Sequence, residues 1–154
     1  MRDIKFRAWD NGMEMMVYQG DDEIYICFDG EKWKLLDYYG THWETDEYGM
    51  NEIEQPWEVE NIEIMQYTGM KDVKGVEIYD GDIVKASSQG IWGKFQVKWR
   101  QDGSPCWFMY PAWKSGVAWS LHGTINDKGE YQDSVEVIGN IYENPELLED
   151  LKNG

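Results

Sequence analysis

The sequence predicts a mostly-β protein of antiparallel meanders with one short C-terminal helix. Three observations predict it. Short apolar or alternating runs recur along the chain, each run is closed by Asp, Asn or Gly, and only the C-terminus carries helix-start signals.

The elements follow in order. Residues 4–9 read as a strand, with Ile4, Phe6 and Ala8 on one face and Lys5 and Arg7 on the other. Asp10-Asn11-Gly12 turns the chain, and Met15 to Tyr18 returns. Glu23 to Phe28 is the next strand, Asp29-Gly30-Glu31-Lys32 a hairpin loop, and Trp33 to Leu36 its return. Strand following strand at this spacing indicates meanders.

Residues 41–64 break the rhythm. They hold Glu44, Asp46, Glu47, Glu52, Glu54, Glu58, Glu60 and Glu63 with no Lys or Arg, and Pro56 interrupts them. The stretch reads as a long acidic loop or a short helix around Asn51 to Gln55, and as the boundary between two parts of one unit. The expected organisation is a single unit over 1–154. It has an N-terminal β part over about 1–60 with an acidic insertion at 41–63. A barrel part follows over about 62–143, then a helix at 144–152.

From Ile62 the strand pattern is clean again and ends at Thr68-Gly69. Asp72-Val-Lys-Gly75 is a tight reversal in which Gly75 takes a positive φ. Gly81-Asp82 leads into Ile83 to Ala86, a common entry to a strand of an SH3-like barrel. Phe95, Val97 and Trp99 alternate with Lys94, Gln96, Lys98 and Arg100, a half-buried strand with a basic outer face. Gln101 to Pro105 turns, Cys106 to Tyr110 returns, Asn126-Asp-Lys-Gly129 is a hairpin loop, and Ser134 to Tyr142 is the last strand. Asn144 then suits a helix N-cap, Pro145 the first helical position and Glu146 the positive end of the dipole. Leu147, Leu148 and Leu151 give that helix an apolar stripe.

Length, charge and cysteines bound the function. A chain of 154 residues buries a real core. The formal net charge of −16 repels phosphate backbones, so direct nucleic-acid binding needs a local basic face, whereas a basic protein partner suits the charge. Cys27 and Cys106 lack CxxC spacing and read as buried, unreactive thiols. No run has the length of a membrane span and no apolar leader opens the chain, so a cytoplasmic location is expected.

Three blocks resemble a known family: Ile4-Lys-Phe-Arg-Ala-Trp-Asp10, the segment from Met65-Gln-Tyr-Thr-Gly69 through Glu77-Ile-Tyr79-Asp-Gly81-Asp-Ile-Val84, and Val137-Ile-Gly-Asn-Ile-Tyr-Glu-Asn-Pro-Glu-Leu-Leu148. In order and spacing they are similar to the YopX-like proteins of phages and prophages. The resemblance implies a mostly-β fold with an SH3-like barrel, assembly into oligomers and a phage or prophage origin. It implies no established activity. The motif residues themselves read as structural. Gly69, Gly75, Gly81 and Gly139 suit backbone closed to side chains, Tyr67, Tyr79 and Tyr142 pack with hydroxyls at a rim, and Asp72 and Asp82 cap turns.

No chemical constellation stands against this. His42 and His122 are the only histidines, and His42-Trp43-Glu44 with Asp80-Gly81-Asp82 falls short of a zinc ligand set. Asp21-Asp22-Glu23 lacks the alternation of a calcium loop. Nucleophile motifs and P-loops are absent. The reading is therefore non-enzymatic, with catalytic residues none, cofactors none and metal none. It is a self-assembling accessory protein that acts through protein–protein interaction. Two alternatives carry their own residues. The acidic residues of 44–63 suit an inhibitor that imitates DNA toward a basic host protein. Trp92, Trp99, Trp107, Phe108, Tyr110, Trp113 and Trp119, with Lys94, Lys98, Arg100 and Lys114, suit a barrel that binds single-stranded nucleic acid.

Overall fold

The computed structural model describes residues 3–21, 24–38, 42–53, 56–88, 90–114, 117–121 and 134–153. The chain divides into two units, one formed by Lys5–Met65 and the other by Gln66–Gly154 together with Met1–Ile4.

The first unit contains β1 (Phe6–Asp10), β2 (Met15–Tyr18), β3 (Ile24–Phe28), β4 (Trp33–Asp37), β5 (His42–Asp46), β6 (Gly49–Ile53), β7 (Trp57–Val59) and the start of β8 (Ile62–Lys71). β1 and β2 form a hairpin with Ala8 opposite Val17. Its turn is built by Asp10, whose Oδ1 accepts the N–H groups of Gly12 and Met13 at 2.7 and 3.0 Å. A three-stranded sheet follows in the order β3-β4-β7. Leu35 sits there between Ile26 and Val59 in adjacent strands. Period-2 alternation turns these apolar residues to one face, where they close a core with Ala8, Val17, Phe6, Ile24, Ile62 and Ile64.

The acidic stretch is mostly strand where it is described, with no helix among its described residues. β5 and β6 pair in register from His42–Ile53 to Asp46–Gly49, and β7 adds to β4. Asn51 to Ile53, expected as part of a helix, lie in β6, while Glu54 and Gln55 lie outside the described residues. The physical reason is composition: Trp43, Thr45, Ile53, Trp57 and Val59 stand between the acids, and β-branched and aromatic residues favour strands.

The second unit contains the end of β8, then β9 (Glu77–Tyr79), β10 (Asp82–Ser88), β11 (Ile91–Arg100), β12 (Cys106–Lys114), β13 (Val117–Ser120), β14 (Ser134–Asn140) and α1 (Glu146–Asn153). Five strands make an antiparallel sheet in the order β13-β12-β11-β10-β14, curled into a half-barrel. Phe95 and Val97, both fully buried, lie at its centre with Ile78, Val84, Ala86, Met109, Trp119, Leu121 and Val135. The Phe95 and Trp119 rings stack at 4.5 Å between centroids. β8 does not end at Thr68-Gly69. Its register against β9 shifts between Tyr67 and Lys71, and Gly69 takes φ 88°, so the glycine marks a bulge inside a longer strand. The hairpin loop expected at Asn126 to Gly129 lies outside the described residues.

Candidate functional site

The central segment, whose residues read as structural in the sequence, bonds its polar side chains to the fold itself. Asp72 is buried, and its Oδ1 accepts the N–H groups of Lys74 and Val76 at 2.8 and 2.9 Å. Its Oδ2 accepts the N–H of Val137 in β14 at 3.1 Å. Gly75, at φ 85°, completes the reversal by donating to the Asp72 carbonyl. Asp82, 1% exposed, accepts the N–H of Tyr79 through Oδ2 at 2.8 Å. Thr68 Oγ1 donates to the Ile78 carbonyl and accepts the Met70 N–H. Tyr67 and Tyr79 are buried with ring centroids 5.5 Å apart, and the Tyr79 hydroxyl donates to Glu77.

The C-terminal block works the same way. Asn140 is buried, its Oδ1 accepts the N–H groups of Tyr142 and Glu143, and its Nδ2 donates to Glu143. Asn144 departs from the expected N-cap. Its carbonyl accepts the Leu147 N–H, but its side-chain Oδ1 turns back to the N–H of Asn140 at 3.2 Å. Buried polar groups bonded in this way to the backbone stabilise the turns they sit in.

The other candidates scatter. The backbone of His42 lies in β5 and its side chain, like all of His122, lies outside the described residues. Asp21 caps the N–H of Tyr18, while Asp22 and Glu23 lie outside. Among the described residues no group of three or more His, Cys, Asp and Glu is placed to hold a metal ion. Cys27 and Cys106 are free and half-buried rather than buried. Both sit opposite cations, Lys34 and Arg100, on the less covered face of their sheets. Of the acids invoked for DNA imitation, Glu47, Glu58, Glu60 and Glu63 are placed, Glu58 as a partner of lysines. The side chains of Glu44, Asp46, Glu52 and Glu54 lie outside the described residues.

Two exposed surfaces remain. The first is aromatic and belongs to the β3–β4 hairpin. Phe28 and Trp33 are cross-strand partners with ring centroids 5.5 Å apart, and Phe6 lies 4.5 Å from Trp33. Phe28 is 54% exposed and Trp33 40%. The hairpin is held by ions. Asp29 Oδ1 accepts the N–H groups of Glu31 and Lys32, and Lys34 bridges Asp29 and Glu58 at 3.1 and 2.9 Å. The backbone donors of Lys32 and Glu31, then Lys34, hold the Asp29 carboxyl well below the usual carboxylate range. Hydrogen bonds from Lys32 and Lys34 lower Glu58, and those to Glu58 and Asp29 raise Lys34.

The second surface is basic and aromatic and lies on the outer face of β10, β11 and β12. Trp119 belongs to the core, Trp107 packs beside it and Trp99 pairs with Trp107 on that inner face, but Trp92 and Tyr110 are exposed on the outer one. Lys85 Nζ stands 4.9 Å from the Trp92 ring centroid, and Lys98 Nζ 4.7 Å from that of Tyr110. Sequence reasoning had not singled out Lys85. Its signal was the alternation Val84-Lys85-Ala86, which turns the lysine outward between two buried residues. The side chains of Trp113 and Lys114 lie outside the described residues.

The YopX protein family model matches residues 5–149, nearly the whole chain. The chain belongs to the YopX family. Its fold is similar to that of the YopX crystal structure from Bacillus subtilis, with a TM-score of 0.59 and 24% identity, covering 96% of this chain and 98% of that one. Protein EF1440 from Enterococcus faecalis is similar over 96% of this chain and 99% of its own, with a TM-score of 0.55 and 22% identity. No curated relative matches the chain. Beyond this YopX membership, among the described residues no helix is long and apolar enough to cross a membrane.

Proposed function

We propose that this YopX-family chain is a non-enzymatic accessory protein of a phage or prophage that works by assembling with itself and, as an assembly, by binding other proteins. The observation that carries the reading is the Phe6–Phe28–Trp33 cluster. Two of its rings stay substantially open to water on a hairpin whose ion network fixes its shape. Large rings left in water cost free energy that burial against another protein recovers, at about 25 cal/mol per Å² of apolar area. Aromatic residues concentrate at interface cores for that reason. Tyr25, Tyr38 and Trp57, also exposed, extend the apolar supply around β3, β4 and β7.

The test compares hydrodynamic size for the wild type and for Phe28→Glu with Trp33→Glu. The expected result is an assembly for the wild type and a smaller species for the double variant with an unchanged far-UV spectrum. Equal sizes for both would remove the hairpin cluster as the interface.

A further inference from the structure

We infer that the outer face of the half-barrel binds single-stranded nucleic acid, with bases on Trp92 and Tyr110 and phosphates on Lys85, Lys98 and Arg100. These residues differ from those of the proposed self-association, and the inference goes beyond it.

The face follows from register. Lys85 opposes Lys94, Ser87 opposes Trp92, Gln96 opposes Tyr110, Lys98 opposes Phe108, and Arg100 opposes Cys106. All of these share the side opposite Phe95, Val97 and Met109, which are buried. Trp92 is 59% exposed and Tyr110 50%. From Trp92 to Arg100 the path spans about 26 Å of strand, room for roughly four nucleotides, the low end of small-barrel site sizes. On the β10 side the path is bounded by α1, whose Leu147 stands against Gly139 beside the fully buried Ile83 opposite Gln96, and which carries Glu146 and Glu149 in its first turn.

Charge makes this face unusual for the molecule. The chain carries −16 overall. Yet among the described residues Lys85 and Lys98 bond to no carboxylate and lie over rings instead. Arg100 donates to the Ser104 carbonyl and toward Cys106 Sγ. Glu136, opposite Lys85 on β14, is bridged to Lys74. A cation held within 5 Å of an exposed ring matches the two halves of a nucleotide, the base stacking on the ring and the phosphate meeting the ammonium. An acidic peptide would satisfy the cations but would leave the rings without a planar partner. Duplex DNA keeps its bases out of reach of the rings.

The test is fluorescence anisotropy of the full chain with a labelled oligothymidylate in low salt. Micromolar binding is expected, with a log–log salt slope of about −2, as three neutralised phosphates on a single strand give. Trp92→Ala should weaken binding by about tenfold, within the range for loss of one stacked base. Lys85→Glu with Lys98→Glu should abolish it, and Lys32→Glu on the other unit should leave it unchanged. Urea midpoints of the variants separate loss of binding from loss of fold. No binding at about 100 times a micromolar dissociation constant, equal binding by the variants, or tighter binding to duplex would each overturn the inference. So would a charge reversal that only shrinks the assembly, since the face would then be occupied by an acidic segment of a second copy.

Discussion

Asp72 and Val137, 65 positions apart, are joined by one hydrogen bond of 3.1 Å from the Val137 N–H to the Asp72 carboxylate. It ties the turn between β8 and β9 to the last strand of the half-barrel. The Val73 N–H donates to the Val135 carbonyl beside it, and Lys74 bridges Glu136, so three successive residues of the turn grip three successive residues of β14. The central and C-terminal blocks are thus halves of one structural joint.

Removing the carboxylate should therefore be costly. Asp72→Ala leaves the N–H groups of Lys74, Val76 and the half-buried Val137 without their acceptor, and an estimate of about 3 kcal/mol follows from the cost of unsatisfied donors. Asp72→Asn keeps the Oδ1 bonds and should lose about half as much. Urea unfolding of both variants checks this, and a loss below about 1 kcal/mol for the alanine variant would contradict the joint.

Gly139 should tolerate no side chain. Its φ is 157°, and a Cβ there would meet the Asn144 side chain and lie 3.0 Å from Leu147 Cδ1. The substitution pushes on both the Asn144–Asn140 bond and the seat of α1, so Gly139→Ala should cost about 2–3 kcal/mol, the upper part of the range for overpacking. Gly103→Ala, at φ 76° with open space around it, should cost about 1–2 kcal/mol from backbone strain alone. Equal midpoints for the two variants would refute the steric argument.

The hairpin ion network should respond to acid. Asp29 and Glu58 titrate below their ordinary values when folded, so the unfolded chain binds more protons there. Their contribution is complete above about pH 5 and fades as pH falls through the carboxylate range. Lys34 shifts upward, so its share is present below about pH 10 and lost as pH rises through the raised value. The gap in urea midpoint between wild type and Asp29→Ala should narrow from about pH 6 to pH 3, and should shrink in high salt because the groups are exposed. A gap that stays constant with pH would exclude the ionic account.

Much of this architecture was legible in the sequence, because turn residues act locally. Asp10, Asp29, Asp72 and Gly75 fold the chain where their types demand, and Phe95 and Val97 alternate inward as their spacing requires. The acidic stretch reads as loop or helix from its charge and its Pro56, whereas its β-branched and aromatic residues favour the strands it forms. The Gly69 bulge was read as a strand end, since a glycine in a strand signals both. The exposed surfaces were less legible. Whether Trp92 or Trp119 faces water depends on curvature and register, which no local pattern carries.

The central claim is self-association, and sedimentation equilibrium of the full chain tests it most directly. The account predicts a mass at least twice the 18.1 kDa of one chain, rising with salt as repulsion between chains of charge −16 is screened. A mass of 18.1 kDa at about 100 times a micromolar dissociation constant, at both low and moderate salt, would contradict it.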